Sequence, residues 1–342
     1  MSPTDTLRSS LAGLAIALAA GCATSPGTTR AEATAPTAQA ASPVAEPARR
    51  LATRPQPVLP MLWRIADGDN KVYLLGSFHL LKPEDLPLPR DVEDAFADAE
   101  AVWFEIDPRQ MQDTTAMAAT FMQAARYDKP GDTLTKVLPE ATRTRLERFL
   151  AASGGSLAAM DQSEPWAVNT AIILGVAQAM GFRQENGVDA HLMQRTAQAG
   201  KRSGGLETVA AQMTAMDRAP HAEQIAALDE FLLDPPKTAA ELTSLHEWWK
   251  AGDLGNLERE LVTEMQRKAP VTHRLMLTAR HDAWMPQLER LLSAPGRDDY
   301  LVVVGAAHLL GKDGLVERLR ARGHAIERIC SDCAPGTPDV RH

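Results

Sequence analysis

Two short segments near opposite ends of the chain carry one pattern. Leu75-Gly76-Ser77-Phe78-His79-Leu80-Leu81 and Val304-Gly305-Ala306-Ala307-His308-Leu309-Leu310 each run from an apolar stretch into Gly-x-x-His and then Leu-Leu. With 22 Gly and 9 His in 342 residues, Gly-x-x-His arises by chance about 0.6 times. One copy is uninformative, whereas two copies in the same setting suggest a distant internal duplication. In each, an apolar strand ends, glycine permits tight backbone geometry, and an imidazole projects from the strand's C-terminal end. Open α/β sheets bind their ligands at that edge. The fold is thereby constrained: one sheet takes strands from both ends of the chain and brings their C-terminal ends together.

The intervening sequence agrees. Apolar runs at 61–65 and 72–75, separated by Asp67-Gly68-Asp69-Asn70, predict a β-hairpin. Ala101-Val102-Trp103-Phe104 and residues 300–304 predict two more strands. Between them the period becomes helical: Leu146, Phe149 and Leu150 follow Pro139 at a first helical turn, and Leu257, Leu261 and Met265 repeat similarly. Residues from about 110 to 295 are expected to be mostly helical, with Ser203-Gly204-Gly205-Leu206 returning to the sheet. The expected class is α/β, a mixed sheet formed by N- and C-terminal strands with a long helical insertion. It forms a single domain over 57–333, followed by a tail at 334–342. Composition permits a sizeable core, since 44% of residues are apolar and 23% charged. The methionines of the helical region, among them Met111, Met117, Met122, Met213 and Met216, are read as core filling. A net charge of −8 without a basic run argues against a nucleic-acid partner.

Residues 11–21 are apolar or small, follow Arg8 and end at Ala19-Ala20-Gly21-Cys22. This fits a secretory signal over 1–21. Two small residues before a cysteine resemble the lipobox of bacterial lipoproteins, which implies cleavage before Cys22 and lipidation of its thiol. Ala23 in the next position resembles an outer-membrane address, so the expected location is the cell envelope, on an outer-membrane lipid anchor facing the periplasm. The Ala, Thr, Pro and Ser of 22–56 cannot offset the entropy of ordering and read as a tether. Cys330 and Cys333, an even pair in an oxidising compartment, are expected to form a local disulfide.

Carboxylates stand where the strands end. Glu105 closes Val102-Trp103-Phe104, and a charge there needs a partner because an unpaired buried carboxylate is costly. Glu207 follows Gly204-Gly205-Leu206 in the same manner. Glu185 and Asp189 are four apart and share one helix face unless Gly187 breaks the turn; otherwise they are a solvated acidic face or helix-start charges. His191, His246, His281 and His324 lie in charged surroundings and read as surface or interface residues. Whether His79 and His308 satisfy local hydrogen bonds or serve as ligands is open at this level.

Taken together and in order, Leu75-Gly-Ser-Phe-His, Trp103-Phe-Glu-Ile-Asp, Glu185-Asn-Gly-Val-Asp, Gly205-Leu-Glu-Thr and Val303-Val-Gly-Ala-Ala-His resemble the TraB/GumN family, which includes the Tiki proteins. The resemblance spans roughly residues 58 to 330. It implies an α/β protein related to the erythromycin-esterase and ChaN-like group, with Tiki members acting as metal-dependent proteases. It also implies that the family histidines are His79 and His308, that the family acids are Glu105, Glu185, Asp189 and Glu207, and that the family's Arg-Asn pair stands here as Arg280-His281. Two imidazoles and a carboxylate, His79, His308 and Glu105, suit a divalent metal such as Mn, Co or Zn. Such a metal lowers the pKa of bound water to about 7. Glu105 and Glu207 then supply acid-base groups, Arg280 stabilises an oxyanion, and Glu185 and Asp189 contact substrate. The expected function is hydrolysis of a peptide, amide or ester bond. The alternatives are a metal-free hydrolase with His as base, or a peptide-binding regulatory protein without catalysis. The helical zinc signature His-Glu-x-x-His is absent, and Ser77 has no Gly-x-Ser-x-Gly context.

Overall fold

The computed structural model describes residues 58–66 and 70–334. The expected signal, Cys22, the tether, the turn at Asp67-Gly68-Asp69 and nearly all of the tail lie outside the described residues.

Six strands form one mixed sheet. They are β1 (Leu62–Ala66), β2 (Lys71–Ser77), β3 (Ala101–Ile106), β4 (Arg202–Glu207), β5 (Tyr300–Gly305) and β6 (Ile326–Arg328), in the order β4-β3-β5-β2-β1-β6. β1 and β2 are the expected hairpin, antiparallel with Leu62 opposite Leu75 and Ala66 opposite Lys71. β2, β3, β4 and β5 are mutually parallel along the sheet, so their C-terminal ends share one edge. β5, near the end of the chain, lies between β2 and β3 from its beginning. All six residues of Tyr-Leu-Val-Val-Val-Gly in β5 are buried, as a central parallel strand covered on both faces requires.

Helices fill both crossovers next to β4. The segment from β3 to β4 holds helices from Pro108–Gln112 to Val188–Gln198, and that from β4 to β5 runs from Val209–Asp217 to Ala279–Leu292. The predicted helical stretch is thus two crossovers divided by an edge strand. Met117, Met213, Met216, Met265, Met276 and Met285 are buried in the core and Met111 packs against it, but Met122, also read as core filling, is exposed. Arg274–Thr278 is a wide π-helical turn that leads straight into Ala279–Leu292, a feature common near functional sites.

The other sheet edge is closed by β6, which the sequence pattern did not reveal. It pairs antiparallel with β1, Trp63 opposite Arg328. Beyond it Cys330 and Cys333 are joined in a disulfide with Cα atoms 5.3 Å apart. Ser331 donates through its backbone N–H and its hydroxyl to Asp91, each at 2.6 Å, fastening this end to the helix Arg90–Asp98.

Candidate active site at the C-terminal edge of the sheet

β2 ends in Ser77, and the next two residues point in opposite directions. Phe78 packs between His246 and Trp249, with ring centroids 5.9 Å away in each case. The Trp249 indole donates to the Gly76 carbonyl at 3.1 Å, and His246 Nε2 meets Asp85 Oδ2 at 2.8 Å. His79 turns toward the helix Val188–Gln198, where its Nδ1 lies 2.7 Å from Asp189 Oδ2 and Ser77 Oγ donates to Asp189 Oδ1 at 3.0 Å. That helix comes close because Gly187 precedes it. A Cβ on Gly187 would lie 2.2 Å from the His79 carbonyl oxygen, so any side chain would push the two segments apart.

Glu105 sits at the centre. Its Oε1 accepts the Gly305 N–H at 2.7 Å, and its Oε2 accepts from Arg280 Nη2 at 2.6 Å and from Gln212 Nε2 at 3.2 Å. Arg280 arrives from the helix Ala279–Leu292, and each of its five N–H donors is engaged. Nε and Nη2 bond to Glu207 at 3.1 and 2.7 Å, Nη2 also to Glu105, and Nη1 to the Met276 carbonyl and to His308 Nε2, both at 3.1 Å. Trp284 backs the cluster: its ring lies 4.6 Å from the Arg280 guanidinium carbon and its Nε1 donates to Glu207 at 3.2 Å. Glu105, Arg280, His79 and His308 are all buried. Two carboxylates around one guanidinium let these charges exist away from water.

Protonation follows from these surroundings. Burial opposes a charge on His79, but Asp189, followed by Glu105, outweighs it and raises the ring to about 9. His308 is pushed well below the usual imidazole range by burial and then by Arg280. Burial also lowers His281, to about 3. Glu207 is raised by burial, with Arg280 working against the shift.

The model of the TraB/PrgY/gumN family matches residues 61–328, the span that contains all six strands. The chain belongs to the TraB/PrgY/gumN family. It is 25% identical over 253 residues to YbaP of Escherichia coli (strain K12), an uncharacterized protein, covering 74% of this chain and 89% of YbaP. YbaP of Shigella flexneri matches over the same shares. An uncharacterized protein of Treponema pallidum (strain Nichols) is 21% identical over 274 residues, 77% of this chain and 80% of that one. No solved structure matches the present chain significantly.

In this TraB/PrgY/gumN protein the six residues His79, Glu105, Asp189, Glu207, Arg280 and His308 come together from four strand ends and two helices. Glu185 does not join them. The helix begins at Val188 with Gly187 as its cap, so Glu185 stands in the preceding turn, exposed, and shares no helical face with Asp189. His281 and His246, read as surface or interface residues, are both buried. His281 belongs to the site: its Nε2 is 2.9 Å from His308 Nδ1. Its one sequence signal was its place beside Arg280 in the motif. Gln212 and Trp284 carried no such signal.

Among the described residues no group of three or more His, Cys, Asp or Glu is drawn together as a metal site. The donor chemistry nevertheless suits a divalent cation. His79 Nε2 is buried with no hydrogen-bond partner among the described residues, and it faces Glu105 Oε1 at 4.0 Å; His308 Nε2 faces the same oxygen at 3.6 Å. A Cβ on Gly305 would lie 3.0 Å from His79 Nε2 and 3.2 Å from Glu105 Oε1, so glycine keeps this space free. Both rings also turn Nδ1 to a further acceptor, Asp189 or His281, as metal-bound histidines do.

Proposed function

We propose that this protein is a hydrolase of peptide, amide or ester bonds, centred on His79, Glu105 and His308. The observation that carries this reading is the buried, unpartnered Nε2 of His79 facing the carboxylate oxygen that His308 also faces. A buried polar atom without a partner is costly and is retained where a ligand completes it. His79, His308 and Glu105 are the residues to hold Mn, Co or Zn. A bound divalent cation of this kind supplies hydroxide near neutral pH.

The chain's own residues divide the remaining work. Glu207 is the second carboxylate and accepts the proton released by the attacking water. Arg280 holds both carboxylates in place, and the Nη1–H that now meets His308 is the donor available to a substrate oxygen as negative charge develops on it. Asp189 orients His79 from behind.

One contact favours a metal-free variant of the same chemistry. Arg280 Nη1 already occupies the lone pair of His308 Nε2, which leaves the Asp189–His79 pair as the acid-base group. Elemental analysis of the purified protein separates the two readings. About one equivalent of transition metal, lost on chelation together with cleavage of a peptide or ester library, supports the metal reading. Cleavage that survives chelation in metal-free protein supports the other, and no cleavage in either state overturns hydrolysis.

The proposal also includes an envelope location, with Cys22 lipidated and the folded domain in the periplasm. Its support is the sequence pattern at 11–23 alone. Among the described residues no helix is long and apolar enough to cross a membrane. Cys22→Ser should abolish lipid labelling and release the protein from the membrane fraction; unchanged labelling overturns the anchor.

A further inference from the structure

Behind His308 lies a second histidine whose contacts leave it one arrangement of protons. Four groups form a line: the Arg280 guanidinium, the His308 ring, the His281 ring and the Asp313 backbone carbonyl. The spacings are 3.1 Å from Arg280 Nη1 to His308 Nε2, 2.9 Å from His308 Nδ1 to His281 Nε2, and 2.8 Å from His281 Nδ1 to the carbonyl oxygen. Both rings are buried, His308 at 0% and His281 at 1% exposure, so water cannot take over any of these contacts.

The ends of the line fix its direction. A guanidinium can only donate, so His308 Nε2 carries no proton and accepts from Arg280. The proton of His308 is then on Nδ1 and is donated to His281 Nε2. His281 in turn carries its proton on Nδ1 and gives it to Asp313, whose carbonyl can only accept. Reversing either ring sets donor against donor at one contact and acceptor against acceptor at another, a loss of two buried hydrogen bonds. Trp284, with its ring centroid 4.6 Å from that of His308 and 6.2 Å from that of His281, walls one side of the pair.

We propose that His281 is a positioning residue for His308, holding it in the single tautomer whose bare Nε2 faces the Glu105 carboxylate. The inference rests on the reading of His79, Glu105 and His308 as the reactive centre, but the tautomer itself can be observed without any reaction. Arg280 favours a bare Nε2, but the Glu105 carboxylate 3.6 Å away favours an N–H there, and without an acceptor at Nδ1 the ring would be free to turn its proton to Glu105 Oε1 and close the space that His79 Nε2 faces. His281 removes that option. It thereby leaves His308 Nε2 as a lone pair in the apo protein, where it bonds to Arg280, and in a loaded one, where it is available as a ligand.

The test is nitrogen NMR of the full-length protein labelled with 15N-histidine, metal-free, together with His281→Asn and His281→Leu. In the wild type, His308 and His281 should each show one protonated Nδ1 and one bare Nε2. An amide can accept from His308 Nδ1, so His281→Asn should retain this pattern at His308, while His281→Leu should lose it to a mixture or to the reversed tautomer. With zinc as the probe, His281→Leu should bind about 10- to 100-fold more weakly than wild type, as expected when a supporting partner of a ligand is lost, and His281→Asn should bind within a few-fold of wild type. A wild-type His308 carrying its proton on Nε2, or on both nitrogens, overturns the assignment, as does a His281→Leu protein whose His308 pattern and zinc affinity are unchanged. Should His281→Leu fail to fold, the wild-type and His281→Asn spectra decide. A wild type that binds no zinc defeats the metal reading, and the nitrogen shifts alone then decide the role of His281.

Discussion

At the scale of single residues, the cluster depends on charge balance. Glu105→Gln keeps a similar shape and still accepts the Gly305 N–H, but it removes half of the negative charge that faces Arg280. Breaking a buried pair in this way costs about 3 to 5 kcal/mol. His191→Ala, a change at a half-buried position outside the cluster, should cost within about 0.5 kcal/mol. Chemical denaturation of the two variants checks the contrast, and equal midpoints would show that the Glu105–Arg280 pair does not hold the cluster together. A second residue tests pH dependence away from the site. Asp217 is raised to about 6, by burial first and then by Glu164 and Asp128. Because its folded-state pKa exceeds its unfolded value, the folded protein binds this proton more tightly, and stability falls as pH rises from about 4 through about 6. Asp217→Asn removes that loss. It should stabilise the protein by about 1 kcal/mol at pH 7.5, since partial exposure screens the effect, and by almost nothing at pH 3.5. Thermal melts at the two values measure the difference.

At the scale of elements, two glycines should respond oppositely to the same substitution. Gly187→Ala brings a methyl group against the His79 carbonyl, and overpacking of this kind costs roughly 1 to 3 kcal/mol while displacing His79 from Asp189. Gly175 lies inside the helix Pro165–Ala179 with open space around it, so Gly175→Ala should stabilise by about 1 kcal/mol through helix propensity. Denaturation curves that place both changes on the same side of wild type would contradict this account. The same elements show what could be read from sequence. β2, β3 and β5 announce themselves because buried parallel strands are continuous apolar runs, and their terminal His79, Glu105 and Gly305 follow directly. β4 was visible only as Ser203-Gly204-Gly205-Leu206, followed by Glu207. β6, with two half-buried residues around an exposed Glu327, offers no pattern to detect. The shared helix face of Glu185 and Asp189 was conditional on Gly187, and Gly187 does break the turn: it caps the helix that begins at Val188 and leaves Glu185 outside it. His281 was read as a surface or interface residue because Arg280 and Asp282 beside it look like a solvated surface; only the packing of Ala279–Leu292 against the strand ends turns Arg280 and His281 inward together.

At the scale of the whole molecule, the order β4-β3-β5-β2-β1-β6 makes a late strand central. A chain ended after residue 298 lacks β5 and leaves β2 and β3 without their shared neighbour, so it should show no cooperative unfolding and no protected sheet amides. A chain ended after residue 324 loses only β6 and the disulfide segment at the edge, and it should keep a cooperative transition at a lower midpoint. Hydrogen exchange and thermal melts of the two truncations provide the measurement, and a cooperative fold in the shorter one would contradict the role given to β5. Contacts between distant parts of the chain also delay folding, because loop closure precedes the reward of pairing. The adjacency of β2 and β5 therefore sets a clock. His79 is synthesised early and has to wait for His308, so no growing chain on a ribosome, and no polypeptide still threading through a translocation channel, possesses the assembled centre. Whatever chemistry the cluster performs begins only where the whole chain has arrived.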